Sequence, residues 1–256
     1  PTKPLANQRD LALAYSPGVA AACELIVEDP AAAASVTARG NLVGVITNGT
    51  AVLGLGAIGA LASKPVMEGK GVLFKKFAGI DVFDIEIDET DPDKFIEIVQ
   101  ALEPTFGGIN LEDIKAPECF KIEDGLKARM KIPVFHDDQH GTAICVCAAL
   151  VNGLRFVGKD LKSVKVVTSG AGAAAIASLN LLVSLGMPVA NIYITDRKGV
   201  VHVGREGSID ASKKVYEKDT PDRTLADAIK GADVFLGMSG PNVLDGDMVK
   251  SMAERP

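Results

Sequence analysis

The chain has 256 residues, 47% of them hydrophobic and 5% aromatic, with 26 glycines and no tryptophan. That balance gives one large or two modest domains rich in tight turns, and excludes a disordered tract or a disulfide scaffold. A net charge of -6 gives no electrostatic footing for nucleic acid or an anionic membrane.

The longest uninterrupted apolar run, residues 143–151, is far short of the ~20 residues that span a bilayer. The first ten residues are polar and lack the apolar core of a secretory signal. Four cysteines fit a reducing compartment, so a cytoplasmic location is expected, with no membrane and no nucleic-acid partner. Neither end reads as a natural terminus: the chain opens on Pro1 without methionine and stops at Pro256 just after a helix-like stretch, 245–254.

In chain order, residues 8–15 break at Ser16-Pro17-Gly18, which puts Tyr15 where a helix or strand stops. Residues 19–27 read as a helix ending before Asp29-Pro30. A hairpin is expected next, with strands 42–47 and 50–53 around Asn48-Gly49, because such turns need positive φ at both central positions. Gly54-Leu55-Gly56-Ala57-Ile58-Gly59 has dinucleotide-loop spacing. No convincing helix and second strand precede Lys64-Pro65, so it reads as a close-packed glycine turn. Lys70 lies between Gly69 and Gly71, which favours close approach to a ligand, although a solvated lysine is the commoner outcome. Residues 81–88 alternate, with Phe83, Ile85 and Ile87 on one face and Asp84, Glu86 and Asp88 on a wet one. Asp91-Pro92 starts a helix whose buried stripe is Phe95, Ile98, Val99 and Leu102.

Two consecutive strands then end in acids. Residues 106–113 finish at Glu112-Asp113, a helix begins at Ala116-Pro117, and residues 132–136 run into Asp137-Asp138. In a βαβ unit both ends lie on one edge of a sheet. Four carboxylates there repel one another unless a cation sits among them, and hard oxygen donors suit Mg²⁺ or Mn²⁺. An exposed acidic turn is the plain alternative for Asp137-Asp138. Gly141 and Thr142 lead into an apolar helix, 143–154, in which Cys145 and Cys147 diverge around the axis as small core residues.

Residues 164–168 suit a buried parallel strand and run into Ser169-Gly170-Ala171-Gly172-Ala173-Ala174-Ala175. A helix follows through Leu185, with Gly186 at its cap and Pro188 as stop. A second strand, 191–195, ends at Asp196, 26 residues after Gly170. Strand, glycine turn, helix, strand and acid together make a dinucleotide fingerprint, with phosphates on the helix N-terminus. Asp196 suits the ribose hydroxyls of NAD, whereas Arg197 and Lys198 suit the extra phosphate of NADP; both stay open. Residues 199–218 read as a surface excursion and 224–230 as a short helix capped by Gly231. Residues 233–237 read as another buried strand, ending in Met238-Ser239-Gly240-Pro241 near the cofactor's ribose or nicotinamide.

Several of these motifs also occur together in a known family. They are Tyr15-Ser16-Pro17-Gly18-Val19, Asn48-Gly49-Thr50-Ala51-Val52-Leu53-Gly54-Leu55-Gly56, Gly69-Lys70, Asn110-Leu111-Glu112-Asp113 and Phe135-His136-Asp137-Asp138-Gln139-His140-Gly141-Thr142. With the Gly170 loop they resemble the malic enzymes over nearly the whole chain, most closely the bacterial short-subunit and hybrid type. The resemblance implies an α/β fold of two domains: a substrate- and metal-binding domain, 1–138, and an incomplete Rossmann NAD(P)-binding domain, 139–256, with a doubly wound parallel sheet. It implies oxidative decarboxylation of malate to pyruvate and CO₂ with NAD or NADP, the latter slightly favoured, and Mg²⁺ or Mn²⁺, in a homodimer.

Carried over by position, Glu112, Asp113 and Asp138 match the metal ligands, Lys70 the general base, Tyr15 the general acid, and Asp137 the acid hydrogen-bonded near that base. Thr142, Ser169, Gly170, Ala171, Gly172, Ala173, Asp196, Arg197, Lys198 and Ser239 are the candidate cofactor contacts. Ala51 departs from the arginine of the larger eukaryotic enzymes, and the family's substrate-contacting asparagines would lie after Pro256. The competing readings are a metal-free two-domain dehydrogenase and a non-catalytic dinucleotide-binding fragment.

Overall fold

The computed structural model describes residues 5–207 and 209–256. Pro1 to Pro4, part of the polar opening, and Ser208 lie outside the described residues. The chain divides into two compact units: Pro1–Ile114 with Lys121–Phe135, and Lys115–Phe120 with His136–Pro256.

The first unit opens with helices α1 (Gln8–Ala14) and α2 (Val19–Glu28), neither of which buries a residue. After the single turn α3 (Ala33–Val36), strand β1 (Leu42–Thr47) enters the core. Then follow α4 (Ala60–Leu73), β2 (Asp81–Glu86), α5 (Pro92–Ala101), β3 (Gly108–Leu111), α6 (Glu118–Arg129) and β4 (Val134–His136). The sheet order is β2-β1-β3-β4, with β1 parallel to both β2 and β3. Val45, Ile46, Phe95, Phe106, Leu111, Ile122 and Leu126 are buried around it. Each such side chain contributes about 1.5–3 kcal/mol over its exposed state.

The expected hairpin does not form. Gly49 has φ +64, but its carbonyl accepts from Ile58 and Gly59, while the Ala51 N–H donates to the Asp113 carbonyl at 2.9 Å. The segment after Asn48-Gly49 is thereby drawn across to the end of β3, and β1 keeps both edges for parallel partners. A helix does follow Gly59, running through Pro65, which lies inside α4 and removes one of its backbone hydrogen bonds. The alternation of β2 holds past its end, where Ile87 is buried and Asp88 exposed, but fails within the strand. Phe83 is 56% exposed, and Asp84 and Glu86 instead meet Lys64 of α4. In α5, Ile96 is buried in place of Ile98.

Besides Lys115–Phe120, the second unit takes the chain from His136 on, through a turn of π-helix (Asp137–Gly141) leading into α7 (Thr142–Val157). It continues through β5 (Val166–Ser169), α8 (Ala173–Ser184), β6 (Ile192–Asp196), β7 (Gly199–Val200), α9 (Ala211–Lys214), α10 (Leu225–Ala228), β8 (Val234–Gly237) and α11 (Gly246–Lys250). The order is β7-β6-β5-β8; β5 is parallel to β6 and β8, and β7 is an antiparallel edge. Val166, Leu179, Leu182, Ile192, Ile194 and Tyr216 pack into its main core. Burial pushes the Tyr216 hydroxyl up to about 12, and it hydrogen-bonds Asn180. The segment 199–218 is therefore more than a surface excursion, since Val200, Val201 and Tyr216 are buried. Strand β8 is half-buried, not buried.

By length and composition alone, Gln8–Glu28 and Asp137–Val157 are apolar enough to cross a membrane, contrary to expectation. The first is divided at Ser16-Pro17-Gly18 into helices shorter than the ~20 residues a span needs. The second opens on two aspartates and buries Ala143, Cys147 and Leu154.

Candidate active site

Glu112 and Asp113 follow β3 directly, and both are buried, at 6% and 4% exposure. The Glu112 N–H donates to the Ile46 carbonyl, so the pairing of β1 with β3 carries one residue past the strand and fixes where this side chain starts. Its carboxylate accepts from Asn110 Nδ2 at 2.9 Å and meets Lys70 Nζ at 3.1 Å. Asp113 stands at φ +54, a left-handed conformation that aspartate tolerates better than most residues. Observed outliers of this kind concentrate at functional sites. A buried carboxylate must be paired with a cation or be neutralised. Lys70, near the end of α4 with its side chain 19% exposed, answers Glu112.

Asp137 and Asp138 lie in the π-helical turn just beyond β4, the strand next to β3. They belong to the helix itself, not to a loop before it. Wide turns of this type recur at functional sites because they re-aim side chains. A Cβ at Gly141 would fall 2.2 Å from Asp137 Oδ1, so the glycine makes room for the acid. Tyr15 is 70% exposed at the break between α1 and α2.

In the second unit the glycine loop has the shape a dinucleotide needs. Gly170 has φ +108, and a Cβ there would meet the Met238 carbonyl at 2.5 Å. Gly172, the N-cap of α8, has open space above it and no side-chain cap, which leaves the first N–H groups of the helix for a ligand. Ser169 and Ser239 hydrogen-bond at 2.5 Å and tie the tips of β5 and β8 together. Ala171 is buried, Ala173 opens α8, and Thr142 opens α7. The Cys147 thiol approaches the Ser178 carbonyl at 3.5 Å, packing α7 on α8.

Asp196 ends β6 as expected, but its partners were not foreseen. Oδ2 accepts from Arg205 Nη2 at 2.8 Å and Lys213 Nζ at 3.4 Å, and Oδ1 accepts from the Lys198 N–H at 2.9 Å. Burial alone would push this carboxyl up. The Arg205 bond, the Lys198 N–H and the charges of Arg205 and Lys213 outweigh burial and hold it below the ordinary range. Arg197 and Lys198 themselves are exposed. No spacing rule points to Arg205 or Lys213; the only sequence signal is five cations against three acids in residues 196–214.

Comparison with known proteins agrees along the whole chain. Residues 1–127 match the family profile "Malic enzyme, N-terminal domain", and residues 139–256 match "Malic enzyme, NAD binding domain". An NADP-dependent malic enzyme of Escherichia coli is 69% identical over all of this chain, which covers 34% of that protein. An NAD-dependent malic enzyme of Rhizobium meliloti is 64% identical over all of it, covering 33%. The crystal structure of an NAD-dependent malic enzyme from Thermotoga maritima superposes with a TM-score of 0.94 at 42% identity, over 99% of this chain and 68% of that one. The chain thus spans about a third of the length of these two curated relatives. With both profiles matched in order and across nearly every residue, the chain belongs to the malic enzyme family.

Proposed function

We propose that the protein oxidatively decarboxylates malate to pyruvate and CO₂ while reducing NAD(P)⁺, with a divalent cation required. The observation that carries this reading is the buried Glu112-Asp113 pair at the end of β3 with Lys70 Nζ 3.1 Å from Glu112. Family membership supplies the reaction class. Glu112, Asp113 and Asp138 are assigned the cation on the family motifs they match, and hard oxygen donors suit Mg²⁺ or Mn²⁺. A cation held there would supply Lewis-acid polarisation of a substrate oxygen and stabilisation of developing negative charge.

Lys70 takes the C2 hydroxyl proton as hydride leaves for the nicotinamide. Tyr15 returns a proton to C3 after CO₂ departs, an assignment that rests on its motif because its ring is exposed. Asp137 is the accessory acid of the proton transfer. Thr142, Ser169, Ala171, Ala173, Ser239 and the Gly170–Gly172 turn receive the dinucleotide, with its pyrophosphate on the N-terminus of α8.

Domain boundaries at 1–138 and 139–256 remain the proposed division, close to the change of compact unit at Phe135–His136, which leaves Asp137 and Asp138 with the dinucleotide fold. A homodimer is supported by Leu11, Leu13, Leu25 and Val27, which α1 and α2 leave exposed. A cytoplasmic location is supported by four cysteines that are all free thiols.

The test is a steady-state assay with malate, Mn²⁺ and each cofactor, following pyruvate alongside reduced nicotinamide. Pyruvate formed mole for mole with reduced cofactor supports the reading. Oxaloacetate accumulating without CO₂ would leave an ordinary dehydrogenase, and nucleotide binding without turnover a non-catalytic fragment.

A further inference from the structure

Helix α4 carries Lys70 and is seated on strand β2 at two separate points. Lys64, Met67 and Gly71 recur at i, i+3 and i+7, which places them on one face of the helix. Met67 is buried in the middle of that face. Toward the start of α4, Lys64 Nζ donates to Asp84 Oδ2 at 2.5 Å and lies 3.6 Å from Glu86 Oε2, both on β2. Toward its end, a Cβ at Gly71 would stand 3.3 Å from Val82 Cγ1, so the glycine lets helix and strand approach closely. Lys70, the residue before Gly71, reaches Glu112 at 3.1 Å.

The ion pair has little to offer stability, because Lys64 is 42% exposed and pairs so open to water contribute little. Its effect is on charge balance across the contact. Glu68 on the helix and Asp84 and Glu86 on the strand are three carboxylates around one ammonium. The Lys64 bond holds the Asp84 carboxyl below its ordinary range, whereas burial and the neighbouring Asp84 push the Glu86 carboxyl up. Glu86 Oε1 is buried with no hydrogen-bond partner among the described residues. Without Lys64, acids on the two elements face one another, and their repulsion drives α4 away from β2.

Resting on the assignment of Lys70 as the base, we propose that Lys64, bridged to Asp84 and Glu86, and Gly71, seated against Val82, are positioning residues that fix α4 on β2 and so hold Lys70 in place for proton transfer. Neither is a catalytic residue. Their leverage is geometric, since a misplacement of about 1 Å at a reacting group costs up to about a hundredfold in rate.

Steady-state kinetics with malate, Mn²⁺ and NADP⁺, beside calorimetry with NADP⁺ and thermal melts, test this on the purified protein. Lys64→Met lowers kcat by about tenfold to a hundredfold and leaves NADP⁺ affinity nearly unchanged. Lys64→Arg, which keeps the charge and the donors, recovers most of the loss. Gly71→Ala also lowers kcat, yet its melting temperature does not fall, because alanine is favoured over glycine inside a helix. That variant separates seating from stability, and it keeps the test sound should Lys64→Met unfold. An unchanged kcat in either folded variant overturns the proposal. So does a loss in Lys64→Met that Lys64→Arg leaves unrepaired, or NADP⁺ affinity that falls in step with kcat. A parent that makes no pyruvate overturns the malate reading and this inference with it, whereas an active parent beside unaffected variants overturns this inference alone.

Discussion

Lys70 and Asp196 show how differently single residues disclose their roles. Lys70 was bland by spacing and became a candidate only through resemblance; the 3.1 Å approach to buried Glu112 gives it a physical reason to matter. Lys70→Ala should lower kcat by about 10²–10⁴-fold, the usual contribution of a positioned acid or base, with dinucleotide affinity nearly intact. Steady-state kinetics beside calorimetry with NADP⁺ separate the two, and an unchanged kcat would remove Lys70 from the mechanism. Asp196 was legible from its place at the end of β6. Its partners were not, because a nine-residue reach from Arg205 back across a turn leaves no periodic trace.

The Asp196 cluster also fixes a pH dependence. The folded carboxyl lies below its ordinary value, so the unfolded chain binds the proton more readily. The stabilisation is therefore present above pH ~4 and lost as pH falls through the folded value. At neutral pH Asp196→Asn should be less stable than the parent by about 1.5–3 kcal/mol, the range for a charged hydrogen bond shielded from water. Urea denaturation at a series of pH values should show that gap closing on acidification. A gap that widens would contradict the assignment.

At the scale of elements, the Gly170 loop was legible because every part of a dinucleotide unit was present in order. The two glycines do separate jobs. Gly170→Ala should cost about 1–3 kcal/mol, since φ +108 is strained for any side chain and the new methyl would strike the Met238 carbonyl. Gly172→Ala meets no atom and should keep stability within ~0.5 kcal/mol, while weakening NADP binding by blocking backbone approach to the pyrophosphate. Thermal melts with nucleotide titrations decide this, and equal stability of the two variants would refute the division. The errors at this scale share one cause. Asn48-Gly49 and the β2 alternation are local signals, and tertiary partners overrode the first and part of the second: the Asp113 carbonyl drew the chain away from a hairpin, and Lys64 drew Asp84 and Glu86 toward α4.

For the whole molecule, the dinucleotide fold could be read from strand ends and glycines, because both are set by local chemistry; the change of unit at Phe135–His136, which leaves Asp137 and Asp138 with that fold, could not. Self-association could not, because it depends on what covers α1 and α2. Leu13→Glu with Val27→Glu should shift the protein toward monomer in sedimentation velocity, and an unchanged distribution would locate the interface elsewhere.

Glu112, Asp113 and Asp138 are proposed above as ligands of a divalent cation. Mn²⁺ titration of the purified protein, read by calorimetry and by the loss of free-ion paramagnetic signal, tests it most directly. The account predicts one tight Mn²⁺ per chain, weakened at least about tenfold by each of Glu112→Gln, Asp113→Asn and Asp138→Asn, since loss of a ligand should cost no less than loss of a residue that supports one. Undiminished binding in all three variants, or no Mn²⁺ bound by the parent, would contradict it.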